Sequence, residues 1–226
     1  MNARYPPLEV KVWADFALFT RPEMKVERAT YPTMTPSAAR GVLEAIFWRP
    51  QFNWRVVEVW LLKPIVYWGL LRNEVNTRAS ERAARGWERD GGGFVASADR
   101  AQRHSLVLRD VAYLIKAQVE VKPGVAADEA KFRDQFRRRV REGRCFATPY
   151  LGCREFAAAF AEPDGSERPI EWTDDLGPML LDLEYAADGT GRGIPRFFEA
   201  RLEDGILRVP AFAGAEGGAD AAAPAS

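Results

Sequence analysis

The sequence predicts an α+β fold, and three observations predict it. Residues 8–19, LEVKVWADFALF, and 109–121, RDVAYLIKAQVEV, alternate apolar and polar side chains, the period-two signature of half-buried strands. Residues 35–48 and 128–143 instead carry helix signals, a cap followed by proline in the first and an apolar side chain every four residues in the second. Strand and helix signals also interleave along the first 160 residues instead of falling into separate blocks.

In the first strand Val10, Val12, Ala14, Phe16 and Leu18 share a face. A turn-rich stretch, RPEMKVERATYPTMTP, leads to Thr35-Pro36, an N-cap with proline at the first helical position. The helix is expected to run to Trp48, with Pro50 ending it. Residues 54–62 and 65–72 read as two strands about a Lys-Pro turn. Residues 73–105 read as an irregular insertion, a mobile hairpin containing GWERDGGGF, because a loop of that length is usually functional or disordered. Over 109–121, Tyr113, Ile115, Ala117, Val119 and Val121 face one way and Lys116, Gln118 and Glu120 the other. In the second helix, 128–143, Phe132, Phe136 and Val140 form one apolar stripe, with arginines crowding the other sides. Residues 154–160 read as a further strand, and a hairpin is expected about Asp204-Gly205. The order approximates βαββαβ, a ferredoxin-like domain over 1–160 with an inserted hairpin. A small β-rich C-terminal region over 161–210 and a low-complexity, disordered tail over 211–226 complete the expected organisation.

The 226 residues allow one large domain or two small ones, with 47% apolar residues to fill a core. No run of 18 or more apolar residues occurs, so no transmembrane helix is expected. The first residues do not read as a signal peptide, and the cytoplasm is the default compartment. Cys145, Cys153 and His104 are the whole supply of soft ligands, one short of a tetrahedral zinc site and without its close spacing. Two small buried thiols are the expectation, with no metal and no cofactor.

The net charge is zero, but residues 1–154 carry 27 Lys+Arg against 17 Asp+Glu, whereas 155–226 carry 5 against 15. That segregation gives +10 and −10, the footprint of a basic face for a polyanion. Only six of the 32 cations are lysine. Arginine's planar fork grips phosphate in bidentate fashion and stacks on bases. A GC-rich genome would also favour arginine, but it would not segregate the signs.

Three blocks carry a resemblance: PSAARGVLEAIFWRP (36–50), QRHSLVLRDVAYLIKA (102–117) and RRRVREGRCFATPYLGCREF (137–156). Across roughly residues 8–210 the chain resembles the CRISPR-associated RAMP proteins of the Cas-five family, subtype d, of type I-C systems. The resemblance implies a metal-independent endoribonuclease that cuts precursor CRISPR RNA within each repeat hairpin. It would leave a 2′,3′-cyclic phosphate and a 5′-OH, then stay on the 5′ handle beside the other subunits of a type I-C surveillance complex. The family pattern places a tyrosine late in the first helix and a Lys-His pair early in the second. Here those positions read Phe47 and Lys131-Phe132, and phenylalanine has no proton to give.

The catalytic candidates are therefore Lys131, with His104, Lys116 and Tyr31 as neighbours able to take over. Candidate RNA contacts are Arg40, Phe47, Arg103, Arg137, Arg138, Arg141, Arg144, Tyr150, Gly152 and Arg154. In that group Gly152 would let the backbone approach a phosphate, and Phe47 would offer a stacking ring. A non-catalytic subunit holding the RNA handle, with non-specific binding to duplex DNA, is the alternative reading.

Overall fold

The computed structural model describes residues 5–24, 26–77, 80–126, 128–185 and 193–211. The chain begins with β1 (Leu8–Ala17), the short β2 (Arg28–Ala29), α1 (Pro36–Ile46), β3 (Phe52–Leu61) and β4 (Tyr67–Val75). Helix α2 (Glu81–Asp90) and a 3-10 turn at Ala96–Asp99 precede β5 (Arg100–Val121). Then come α3 (Glu129–Arg141), β6 (Ala159–Ala161), β7 (Asp174–Tyr185), β8 (Gly193–Glu203) and β9 (Ile206–Arg208). The described residues form a mixed α/β molecule with three α-helices and a mostly antiparallel sheet.

Strand β5 is the spine. The sheet order is β6-β1-β5-β3-β9-β8-β7, and β2 and β4 pair with the remaining length of β5. Its C-terminal half lies between β1 and β3, with Ile115 opposite both Val10 and Val59. Its N-terminal half pairs with β4, from Leu108 opposite Tyr67 to Arg100 opposite Val75. Asp110 marks the change of partner with a positive φ of 53°, and Lys63 reaches its carboxylate at 2.6 Å. The β4–β5 arm carries Tyr67, Trp68, Leu71, Val75 and Leu106 largely exposed.

Helices α1 and α3 cover one face. Thr35 caps α1 by accepting from the Ala38 N–H at 3.2 Å, with Pro36 at the first helical position. Buried Ala39, Val42, Leu43 and Ile46 then recur at helical spacing. Asp128 caps α3 by accepting from the Ala130 N–H at 3.0 Å, and α3 buries Phe132, Phe136 and Val140. These side chains meet Val10, Val12, Tyr113 and Ile115 in one core. Phe52 is its aromatic hub, with ring centroids 5.6 Å from Phe47, 5.4 Å from Trp54 and 5.0 Å from Phe132. Full burial of such a ring stabilises by about 2–3 kcal/mol.

Several elements differ from the sequence-based expectation. Residues 73–105 are not irregular throughout: they hold the end of β4, helix α2, a 3-10 turn and the start of β5. Helix α2 buries no residue, so it has no apolar stripe to betray it; Ser80 caps it by accepting from the Ala83 N–H at 3.1 Å. The expected strand over 154–160 shrinks to β6, because the backbone before it turns back on itself, Leu151 donating to Phe156 at 2.9 Å and Ala158 to Pro149 at 2.9 Å. The hairpin about Asp204-Gly205 is present, both residues having positive φ, 48° and 72°, as a two-residue turn requires. Strands β7 to β9 continue the main sheet through β9 on β3. Beyond Ala211 the expected tail lies outside the described residues. No helix among the described residues is long and apolar enough to cross a membrane.

Candidate nucleic-acid interface

The C-terminal end of α1 and the length of α3 form one surface. Phe47 ends α1, its N–H donating to Leu43 O at 2.8 Å. Its ring is 1% exposed, so the stacking role expected from the sequence gives way to a packing one. Trp54 Nε1 donates to Phe47 O at 2.8 Å. Arg139 Nη1 donates to Ile46 O at 2.9 Å and holds its guanidinium 5.4 Å from the Phe47 ring. Arg49 lies 5.6 Å from the same ring. Phe47 and Phe132 both touch Phe52, so the two positions singled out on separate helices are neighbours in space.

Exposed cations line the solvent side. Lys131 is exposed in the first turn of α3, and Arg138 is exposed further on; among the described residues neither forms an ion pair. Arg137 pairs with Asp134 at 3.4 Å, Arg141 with Glu162 at 3.4 Å and Arg144 with Glu142 at 3.2 Å. Exposed pairs of this kind contribute about 0–1 kcal/mol and yield readily to a phosphate. Arg133 is different: it is 1% exposed and donates to Pro6 O at 2.5 Å and to Glu129 at 3.5 Å. Burial pulls its pKa down, with neighbouring Arg137 adding to the effect.

The loop after α3 is tied to α1 and β1 by backbone. Phe146 and Ala147 both donate to Ala45 O, at 2.8 and 3.1 Å. Leu18 donates to Leu151 O at 3.1 Å. Gly152 has φ +85°, and a Cβ there would sit 2.0 Å from Leu18 O. The close approach that this glycine permits is thus to the chain's own backbone, not to a phosphate. Tyr150, 40% exposed, and Gly152 line a cleft of about 330 Å³ with Thr35, Ser37, Ala38 and Gly41 at the start of α1. Arg154 is exposed beside it. The buried-thiol expectation needs correcting at Cys145, which is exposed, the loop placing Leu151 and Phe156 in the core instead. Cys153 is partly buried, with Arg28 Nη1 3.8 Å from its sulfur; burial pushes the thiol pKa up.

The remaining candidates lie elsewhere. His104 and Arg103 are on the β4–β5 arm, Arg103 reaching Glu74 at 3.8 Å and Asn76 at 3.3 Å. Lys116 alternates with the buried stripe of β5 and so points to the sheet face opposite α3; it pairs with Glu9 at 2.8 Å and sits 3.8 Å above the Trp60 ring. Tyr31 is buried and donates to Pro178 O at 3.3 Å; desolvation raises its pKa and keeps it a phenol. Arg40 is engaged by Asp182 at 2.6 Å and Glu44 at 3.5 Å. Sequence reasoning did not single out Trp48 and Arg49 just after α1, whose only signal was a bulky and a cationic side chain beside a helix stop, or Arg139, one arginine among several on α3 that reaches Ile46 O.

Residues 7–210 match the family described as CRISPR-associated protein (Cas_Cas5). A protein of Thermus thermophilus named CRISPR pre-crRNA endoribonuclease Cas5d is 44% identical over 219 residues, covering 90% of this chain and 91% of the relative. One of the same name from Mannheimia succiniciproducens is 40% identical over 218 residues, covering 91% and 95%. A solved structure described as a CRISPR-associated protein superposes with a TM-score of 0.65 at 21% identity, over 91% of this chain and 92% of that one. A functionally uncharacterized protein of Streptococcus mutans does so with a TM-score of 0.64 at 20% identity, over the same shares. With its fold shared by both solved structures and its sequence matched from residue 7 to 210, this chain belongs to the Cas5 family of CRISPR-associated proteins.

Proposed function

We propose that this chain is an endoribonuclease that cuts precursor CRISPR RNA within the repeat hairpin, by a metal-independent attack of a ribose 2′-OH on the adjacent phosphate. The observation that carries the reading is 40–44% identity, over about nine-tenths of each chain, to two relatives named as pre-crRNA endoribonucleases. The cation ridge of α3 supports this reading, because it would supply the positive charge such a reaction needs. Attack by the 2′-OH, which gives up its proton, forms the O2′–P bond; the bond to the 5′-oxygen breaks as that oxygen takes up a proton, and the products are a 2′,3′-cyclic phosphate and a 5′-OH. Negative charge grows on the phosphorus oxygens, and fixed cations lower that barrier.

Lys131 is our choice for the catalytic cation, because it is exposed, free of an ion pair among the described residues, and next to the Phe47–Phe52–Phe132 cluster. His104 is exposed on the arm, whereas Lys116 is committed to Glu9 and Tyr31 is buried, which leaves these two as weaker candidates. Arg137, Arg138, Arg141 and Arg144, with Tyr150 and Arg154, are assigned to the RNA backbone. After cutting, the protein would hold the 5′ handle within a type I-C surveillance complex in the cytoplasm. The β6-β1-β5-β3 order with α1 and α3 on one face supports reading residues 1–160 as a ferredoxin-like βαββαβ domain, with 161–210 as its C-terminal β region.

A second reading has a specific observation behind it. Phe47 and Phe132 are packed against Phe52 and carry no titratable atom, which suits a subunit that holds RNA, and non-specifically duplex DNA, without cutting it. Incubating the purified protein with the repeat hairpin in EDTA separates the two. Cleavage with a cyclic-phosphate end supports the nuclease, and binding without cleavage by intact protein supports the holder.

A further inference from the structure

Phe146 is 85% exposed, more than any other large apolar side chain among the described residues. Its backbone is nevertheless fixed. The Phe146 and Ala147 N–H groups both donate to Ala45 O, and Arg144 donates to Arg139 O at 2.8 Å. The fold therefore presents an aromatic ring to water from an anchored position. Trp48, 49% exposed, leaves the same end of α1 three residues after Ala45. The surroundings are cationic. Arg49 and Arg139 hold their guanidinium groups by the Phe47 ring beneath, Arg144 follows α3 with a side chain 74% exposed, and Arg138 is exposed without an ion pair among the described residues. Flat apolar rings among arginines match a ligand that is itself flat and anionic, which is an unpaired nucleotide.

We infer that Phe146, together with Trp48, is a stacking platform for an unpaired base of the bound RNA, with Arg49, Arg138 and Arg144 holding the flanking phosphates. This rests on the RNA-binding reading above and adds to it a residue that selects single-stranded geometry. A Watson–Crick duplex offers no free base face at its side, so the platform takes a base at the foot or loop of a hairpin.

The test measures the affinity of the full chain for the repeat RNA by fluorescence anisotropy, and places 2-aminopurine at successive unpaired positions. Phe146→Ala is expected to weaken binding about tenfold and to relieve the quenching of 2-aminopurine at one position. Thermal stability is expected to stay unchanged, because the ring packs against little. Phe146→Trp is expected to restore affinity and quenching, and Phe146→Leu to restore neither. Affinity of Phe146→Ala within twofold of wild type, or Phe146→Leu matching phenylalanine, would overturn the inference. If Arg138→Glu weakens binding while Phe146→Ala does not, the RNA-binding reading stands and only the platform falls. If wild type does not bind the repeat RNA, both fall. Loss of a partner protein from the Phe146→Ala variant with RNA affinity intact would reassign the ring to a protein contact and also overturn it.

Discussion

Glu167 illustrates how a single side chain holds a loop to the sheet. It is 8% exposed, accepts from Lys11 at 3.0 Å, and accepts from the N–H groups of Asp164 and Gly165 at 3.3 and 3.0 Å. Burial opposes its charge, but Lys11 and the backbone donors outweigh burial and the pKa is lowered. A depressed carboxylate pKa stabilises the fold above the unfolded-state value, about 4.3, and loses that contribution as pH falls through the folded value. Glu167→Gln is therefore expected to cost about 2 kcal/mol at neutral pH. The gap from wild type is expected to narrow as the pH drops below about 4.3. Urea titrations across that range check it, and a gap that stays constant until the protein unfolds would contradict it. At this scale the sequence was legible where spacing was informative. Phe132, Phe136 and Val140 were read as a core stripe and are buried. It was not legible where long-range packing decides. Nothing local to Gly152 or Phe47 says that Leu18 O or the Phe52 ring will occupy the space beside them.

The elements divide in the same way. Helix α1 was legible because Thr35 and Pro36 are local signals and its apolar stripe is wide. Helix α2 was not, since it is short, largely polar and fully buries no residue; it stands on its Ser80 cap, an Arg85–Glu81 pair at 2.5 Å and a stack of Trp87 on Phe94 at 6.4 Å. The first half of β5 escaped for a related reason. Its pairing with β4 leaves apolar residues such as Leu106 exposed, which blurs the alternation that marked residues 109–121. A helix held by so little is marginal in water. Ser80→Ala is expected to remove about 1 kcal/mol from α2 alone, speeding amide exchange over residues 81–90 while leaving the global melting temperature unchanged. A matching fall in global stability would mean that α2 is coupled to the core.

For the whole molecule the decisive feature is segregated charge, +10 over residues 1–154 against −10 beyond. Phosphate contacts from Lys131, Arg137, Arg138, Arg141 and Arg144 would release condensed counterions, so affinity falls steeply with salt. With about five such contacts on single-stranded RNA, log K against log salt is expected to slope at about −3.5. Duplex DNA is expected to bind more weakly and to show its own steep slope. A flat salt response for RNA would remove the cation ridge from the account. The charge asymmetry and the family blocks were both visible in the sequence. The cation ridge itself was also visible, Lys131, Arg137, Arg138 and Arg141 lying on α3 with Arg144 just beyond it; what was not visible is that Arg40, Arg103 and Lys116 are drawn off into ion pairs elsewhere.

The central claim is that cleavage depends on Lys131 at the junction of α1 and α3. The most direct test compares wild type and Lys131→Ala on the cognate repeat hairpin in EDTA, with product ends mapped and RNA affinity measured for both. The expected result is cleavage by wild type at one position with a 2′,3′-cyclic phosphate, and at least a hundredfold slower cleavage by the variant, as loss of a fixed charge at the transition state produces, while affinity falls by no more than the roughly fivefold that one lost phosphate contact costs. Undiminished cleavage by Lys131→Ala would contradict the claim and move the chemistry to another group, with His104 the first to examine.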